Sequence, residues 1–131
     1  PLLFIEYGTG YKFKSGMSKI LRKINTKYEY IDSMLERENI ISTYIGLGIA
    51  IPHGTESGKS EVEKAGIIVL QYPKGIKFGT QTAYLLIAVA AKHDEHSEII
   101  SGVAKSLEDI ELIEKIKTTT NPKDILKAFN L

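Results

Sequence analysis

The order of periodicities along this 131-residue chain predicts an α/β fold, a mixed sheet layered with helices. Two β-branched and nearly continuous apolar runs, Gly66 to Tyr72 and Ala83 to Ala91, read as interior strands covered on both faces. Helical spacings of three and four lie at both ends of the chain, with the strands between them. The length suits one domain over residues 1–131, enough to bury a core without metal or disulfide support.

Taken in order, Leu2 to Ile5 is a short apolar run followed by glycines and tyrosines, a strand and a turn at best. Met17, Ile20, Leu21 and Ile24 share one helix face, and Tyr28, Ile31, Met34 and Leu35 repeat the spacing. Arg37 closes that second helix, where a cation complements the C-terminal partial charge. From Ile45 to Ile51 the large apolar residues fall on odd positions and Gly46, Gly48 and Ala50 on even ones, the period of a strand with one bare face. Thr55 to Lys64 is polar and reads as a loop, and Pro73, Gly75 and Gly79 punctuate the link between the two interior strands. Ile99, Ile100, Val103, Ala104 and Leu107 mark a helix, Leu112, Ile113 and Ile116 another, and Pro122 opens a last one.

Composition narrows function. Lys plus Arg total 17 against 16 Asp plus Glu, a net charge of +1 that gives no general attraction for nucleic acid or anionic lipid. The chain has no long apolar span, so no direct membrane insertion is expected. Cysteine is absent, which excludes disulfides, thiolate metal sites and cysteine nucleophiles. Pro1 in place of Met points to a processed or excised start, and a cytoplasmic location is the default.

His53 is the leading candidate for a reactive residue. Pro52 fixes its own φ and holds Ile51 extended, delivering the imidazole at a strand end, while Gly54 admits close approach to the backbone. Parity with Ile49 and Ile51 makes it equally a core histidine; proline ends the ladder and loosens that assignment. The second candidate lies in Lys92-His93-Asp94-Glu95-His96, where a strand gives way to a helix. With Asp94 as cap, His96 falls in the first turn, where free N–H groups and the dipole favour an anion and a neutral imidazole can donate to it. His93 reads as a solvated residue at a helix start. His53, His93 and His96 with Asp94 or Glu98 supply zinc-type ligands, and a metal-dependent hydrolase is a remote alternative, but no metal-binding spacing supports it. Serine-hydrolase and nucleotide-binding signatures are missing, and no cofactor is expected.

Met34-Leu35-Glu36-Arg37-Glu38, Thr43-Tyr44-Ile45-Gly46, Gly48-Ile49-Ala50-Ile51-Pro52-His53-Gly54-Thr55, Gln71-Tyr72-Pro73-Lys74-Gly75, Phe78-Gly79 and Glu95-His96 together resemble the enzyme IIA domain of the mannitol and fructose phosphotransferase family. The match runs from about Tyr30 to Phe129, and Gln-Tyr-Pro-Lys-Gly looks closer to the mannitol branch. The resemblance implies a mixed five-stranded sheet with helices on both faces. It further implies a phosphotransferase component that accepts a phosphoryl group from the phosphocarrier HPr and passes it to a cognate sugar-specific IIB domain. His53 matches the phosphorylated histidine, with the nitrogen distant from the main chain reacting; His96 matches a second histidine beside it, and Arg37 an arginine that stabilises phosphoryl charge. Gly54 and Thr55 would supply backbone at the phosphoryl site. The rival within the superfamily is a regulatory, nitrogen-type paralogue that uses the phosphohistidine as a binding switch. Before Tyr30 the chain looks shorter and more irregular than the family's opening strand and helix.

Overall fold

A computed structural model describes residues 2–7, 28–58, 62 and 66–129. Its elements are β1 (Leu2–Tyr7), α1 (Tyr28–Ile40), β2 (Tyr44–Gly46), β3 (Ile49–Ala50), β4 (Gly66–Phe78), β5 (Gln81–Ala90), α2 (His93–Ser106), α3 (Ile110–Ile116) and α4 (Pro122–Ala128). The strands form one five-stranded sheet in the order β1-β4-β5-β3-β2. It is mixed: β1 runs parallel to β4 and β3 to β5, while β4–β5 and β2–β3 are antiparallel.

Every residue from Gly66 to Tyr72 and from Leu85 to Ala91 is buried, because the two central strands are covered on both faces. Ile68, Leu70, Tyr72, Leu86 and Ala88 point to one side and pack with Met34 of α1 and with Val62. Ile67, Val69, Leu85, Ile87 and Val89 point to the other, against Val103 of α2, Ile113 and Ile116 of α3 and Ile125 of α4. Helices thus sit on both faces, as expected. Pro122 opens α4 behind an Asn121 cap that accepts from Lys123 N at 3.1 Å, and Asp109 caps α3 through Leu112 N at 3.1 Å.

Four sequence expectations change. The central strands do not stop at Tyr72 and start at Ala83. They continue as a hairpin through Phe78 and Gln81, with residues 72–75 of β4 standing opposite Tyr84 alone, a bulge that accommodates Pro73. The opening segment is less irregular than it reads, since β1 pairs with β4 along its length, from Leu2 opposite Gly66 to Tyr7 opposite Gln71. The helix expected from Met17 to Ile24 lies outside the described residues. In α2 the N-cap is Lys92, not Asp94, and no side chain caps it.

The fourth change concerns Ile45 to Ile51, which is two short antiparallel strands rather than one. Gly46, Leu47 and Gly48 all have positive φ, at 107°, 53° and 80°, and reverse the chain. The glycines of the supposed bare face are turn residues. A side chain at Gly48 would also collide with Tyr84, its Cβ falling 2.7 Å from Cδ2. Ile45, Ile49 and Ile51 still share a face, so the alternation survived the turn by coincidence of register. Leu47 pays for that turn with a left-handed backbone while 37% exposed. Leu47→Gly is therefore expected to raise stability by about 0.5–1 kcal/mol, seen as a higher urea midpoint at unchanged slope. A lower midpoint would show that the leucine side chain contributes more than the strain costs.

Candidate functional site

His53 stands where two parallel strands end. After β3 the backbone runs on beside β5: Val89 N donates to Pro52 O at 2.9 Å, and His53 forms an isolated parallel bridge with Val89. The carboxyl ends of neighbouring parallel strands are the usual place for ligand chemistry in α/β sheets. The next element along β5 is α2, which carries His96. His96 is 8% exposed and His53 half-buried, and their rings meet edge to face with centroids 4.7 Å apart and planes at 66°. The contact with His96 puts the His53 ring on the α2 side of the sheet, which also holds Ile49 and Ile51, yet at the sheet's end rather than in its core.

The tautomer follows from one contact. His53 Nδ1 lies 2.6 Å from Ile51 O, and a carbonyl oxygen only accepts, so Nδ1 bears the proton. A neutral ring held this way presents Nε2, the nitrogen farther from the main chain, as its lone-pair atom.

Arg37 lies in the last turn of α1, and its Nη1 donates to Ile41 O at 2.7 Å, the role of a cation closing its own helix. Ser33, one turn earlier on the same face, packs against Gly58 so closely that a Cβ there would fall 2.2 Å from Ser33 Oγ. Gly58 closes the turn after His53, donating its N–H to Thr55 O and Thr55 Oγ1, each at 3.1 Å. The Ser33 side of α1 thus lies along the segment that carries the histidine. Gly54 is buried and Thr55 half-buried within that segment. The structure brings His53 and His96 together and holds Arg37 to the end of its own helix.

Sequence reading passed over Glu38 as more than a letter of the motif. Its carboxylate accepts Thr43 N–H at 3.0 and 3.2 Å and Thr43 Oγ1–H at 2.6 Å. Buried Thr43 in turn accepts Ile51 N–H on its carbonyl at 3.0 Å. The available signal was a carboxylate late in a helix, where the dipole disfavours negative charge.

Among the described residues no three His, Cys, Asp or Glu side chains are grouped to hold a metal ion. A cleft of about 590 Å³ lies between α2 and α3, at Gly102, Lys105, Asp109, Ile110 and Leu112, and neither histidine lines it. Among the described residues no helix is long and apolar enough to cross a membrane.

Residues 13–131 match the family described as phosphoenolpyruvate-dependent sugar phosphotransferase system, EIIA 2. The chain belongs to that family. It is a phosphotransferase component of the enzyme IIA type, as the separated motifs implied. The mannitol-specific EIICBA component of Buchnera aphidicola subsp. Acyrthosiphon pisum is 44% identical over 108 residues, 80% of this chain but 17% of that much longer relative. The mannitol-specific enzyme IIA component of Bacillus subtilis is 41% identical over 103 residues, 78% of this chain and 72% of the relative. The solution structure of the Escherichia coli complex of enzyme IIA mannitol with phosphorylated enzyme IIB mannitol contains a chain of the same fold. It has a TM-score of 0.79 at 30% identity and covers 97% of this chain and 99% of that one. The IIA fold expected from the resemblance, helices on both sides of a mixed five-stranded sheet, is the fold observed.

Proposed function

We propose that this protein is a phosphohistidine carrier for mannitol uptake, accepting a phosphoryl group from phospho-HPr on His53 and passing it to a mannitol-type IIB domain. The observation that carries the reading is the Nδ1–Ile51 O hydrogen bond, which puts the proton on Nδ1 and so supports Nε2 as nucleophile. In the step, the Nε2 lone pair forms the new N–P bond as the donor's P–N bond breaks, and its electrons stay with the donor imidazole. The proton stays on Nδ1, donated to Ile51 O throughout. Charge spreads over the three equatorial oxygens, and catalysis is mostly positioning and electrostatic stabilisation.

His96 donates to one oxygen, Arg37 exchanges Ile41 O for another, and the Gly54 and Thr55 backbone completes the cradle. Two exposed apolar residues, Ile40 at 71% and Ile41 at 65%, follow Arg37 and offer contact to a protein partner. The mannitol assignment rests on the names of the relatives at 41–44% identity. On this reading residues 1–131 form one IIA unit on the cytoplasmic side, meeting the membrane permease through IIB.

The test is to incubate the protein with phospho-HPr, map acid-labile phosphate, and then add a mannitol IIB domain. Label on His53 that passes to IIB is expected. Label that stays put with every sugar IIB would point instead to the regulatory paralogue.

A further inference from the structure

We propose that Glu38 is a positioning residue for His53, fixing the imidazole through Thr43 and Ile51. This rests on the reading of His53 as nucleophile and adds a residue that touches neither ring nor phosphoryl group. In the last turn of α1 a carboxylate opposes the helix dipole, so Glu38 is misplaced unless something compensates it. Three contacts with Thr43, from its amide to both oxygens and from its hydroxyl to Oε2, supply that compensation.

They also lock a buried residue at the start of β2. Thr43 is 5% exposed, and its carbonyl accepts Ile51 N–H at 3.0 Å across the hairpin. The Ile51 amide is therefore held from its neighbour strand, and the carbonyl of the same residue, in the next peptide plane, accepts His53 Nδ1–H at 2.6 Å. Each bond restrains the residue that makes the next one. Removing the carboxylate frees Thr43, lets the Ile51 carbonyl tilt, and weakens the hydrogen bond that assigns the proton to Nδ1. A ring that samples the other tautomer has no lone pair on Nε2 and cannot attack.

The experiment is nitrogen-15 NMR of histidine-labelled protein, which reads the His53 tautomer ratio, beside the rate of phosphoryl uptake from phospho-HPr. Glu38→Ala is expected to lower the Nδ1–H fraction and slow uptake by roughly tenfold at saturating donor, with half-saturation unchanged. Glu38→Gln keeps an acceptor oxygen for Thr43 N–H and recovers most of both. Thr43→Val, which removes only the hydroxyl donor, lies between.

A wild-type tautomer ratio in Glu38→Ala overturns the proposal, whether the rate is normal or reduced, since a rate loss alone would mark a merely structural role. Should Glu38→Ala not fold, the Gln and Val variants decide by the same two readouts. If wild-type protein takes its label elsewhere than His53, the phosphocarrier site is wrong. The tautomer arm still decides whether Glu38 controls the ring.

Discussion

His53→Ala is expected to abolish phosphate incorporation from phospho-HPr without unfolding the protein. The substitution removes the only imidazole at the end of β3, together with the Nδ1–Ile51 O bond and the edge contact with His96. Loss of one such hydrogen bond costs about 0.5–1.5 kcal/mol, small against a core in which Ile49, Ile51, Val69, Leu85 and Ile87 stay packed. His96 is not expected to substitute as acceptor, because it is 8% exposed and its Nε2 is withdrawn from solvent. His53→Asn separates fold from chemistry more cleanly. Its side-chain amide can donate to Ile51 O as Nδ1 does, yet offers no nucleophilic nitrogen, so it should match wild-type melting and take no label. Full labelling of the alanine protein, measured as acid-labile phosphate, would refute the site.

What was legible in the sequence follows from how local each cause is. Gly66 to Tyr72 and Ala83 to Ala91 announce interior strands because double-sided burial demands apolar residues at every position. Pro122 and Asn121 announce α4 because a cap is a neighbour effect. The hairpin at Gly46-Leu47-Gly48 stayed hidden because a leucine at positive φ contradicts its own propensity. Asp94 was misread as a cap because the real one, Lys92, makes no side-chain bond and leaves no mark in composition.

The site divides along the same line. His53 was visible as a residue set beyond a proline at a strand end, and the protonated Nδ1 was expected, but its acceptor, Ile51 O, is a backbone atom that no pattern names. The Glu38-Thr43-Ile51-His53 chain was invisible because it joins a helix end to two strands through main-chain groups. Bulge and hairpin together explain why the connection at Pro73 to Gly79 looked like a loop: the ladder is interrupted, not ended.

His96→Ala should still bind phospho-HPr but transfer slowly, by roughly a hundredfold or more, since losing one donor positioned on a transition state costs ~3 to 4 kcal/mol. The geometry favours so large an effect. His53 follows β3, which Val89 N–Pro52 O ties to β5, and β5 leads directly into α2 with His96, so the pair is preorganised before the donor arrives. A donor already in place incurs no reorganisation during the reaction, and 8% exposure keeps water from competing for it. Truncation also leaves a cavity, which would lower stability on its own; His96→Gln restores bulk and an N–H donor and should recover part of the rate. The measurement is single-turnover uptake against phospho-HPr concentration, with the loss falling on the maximal rate and not on half-saturation. A shift confined to half-saturation would mean that His96 shapes the docking surface and leaves the phosphoryl charge to other groups.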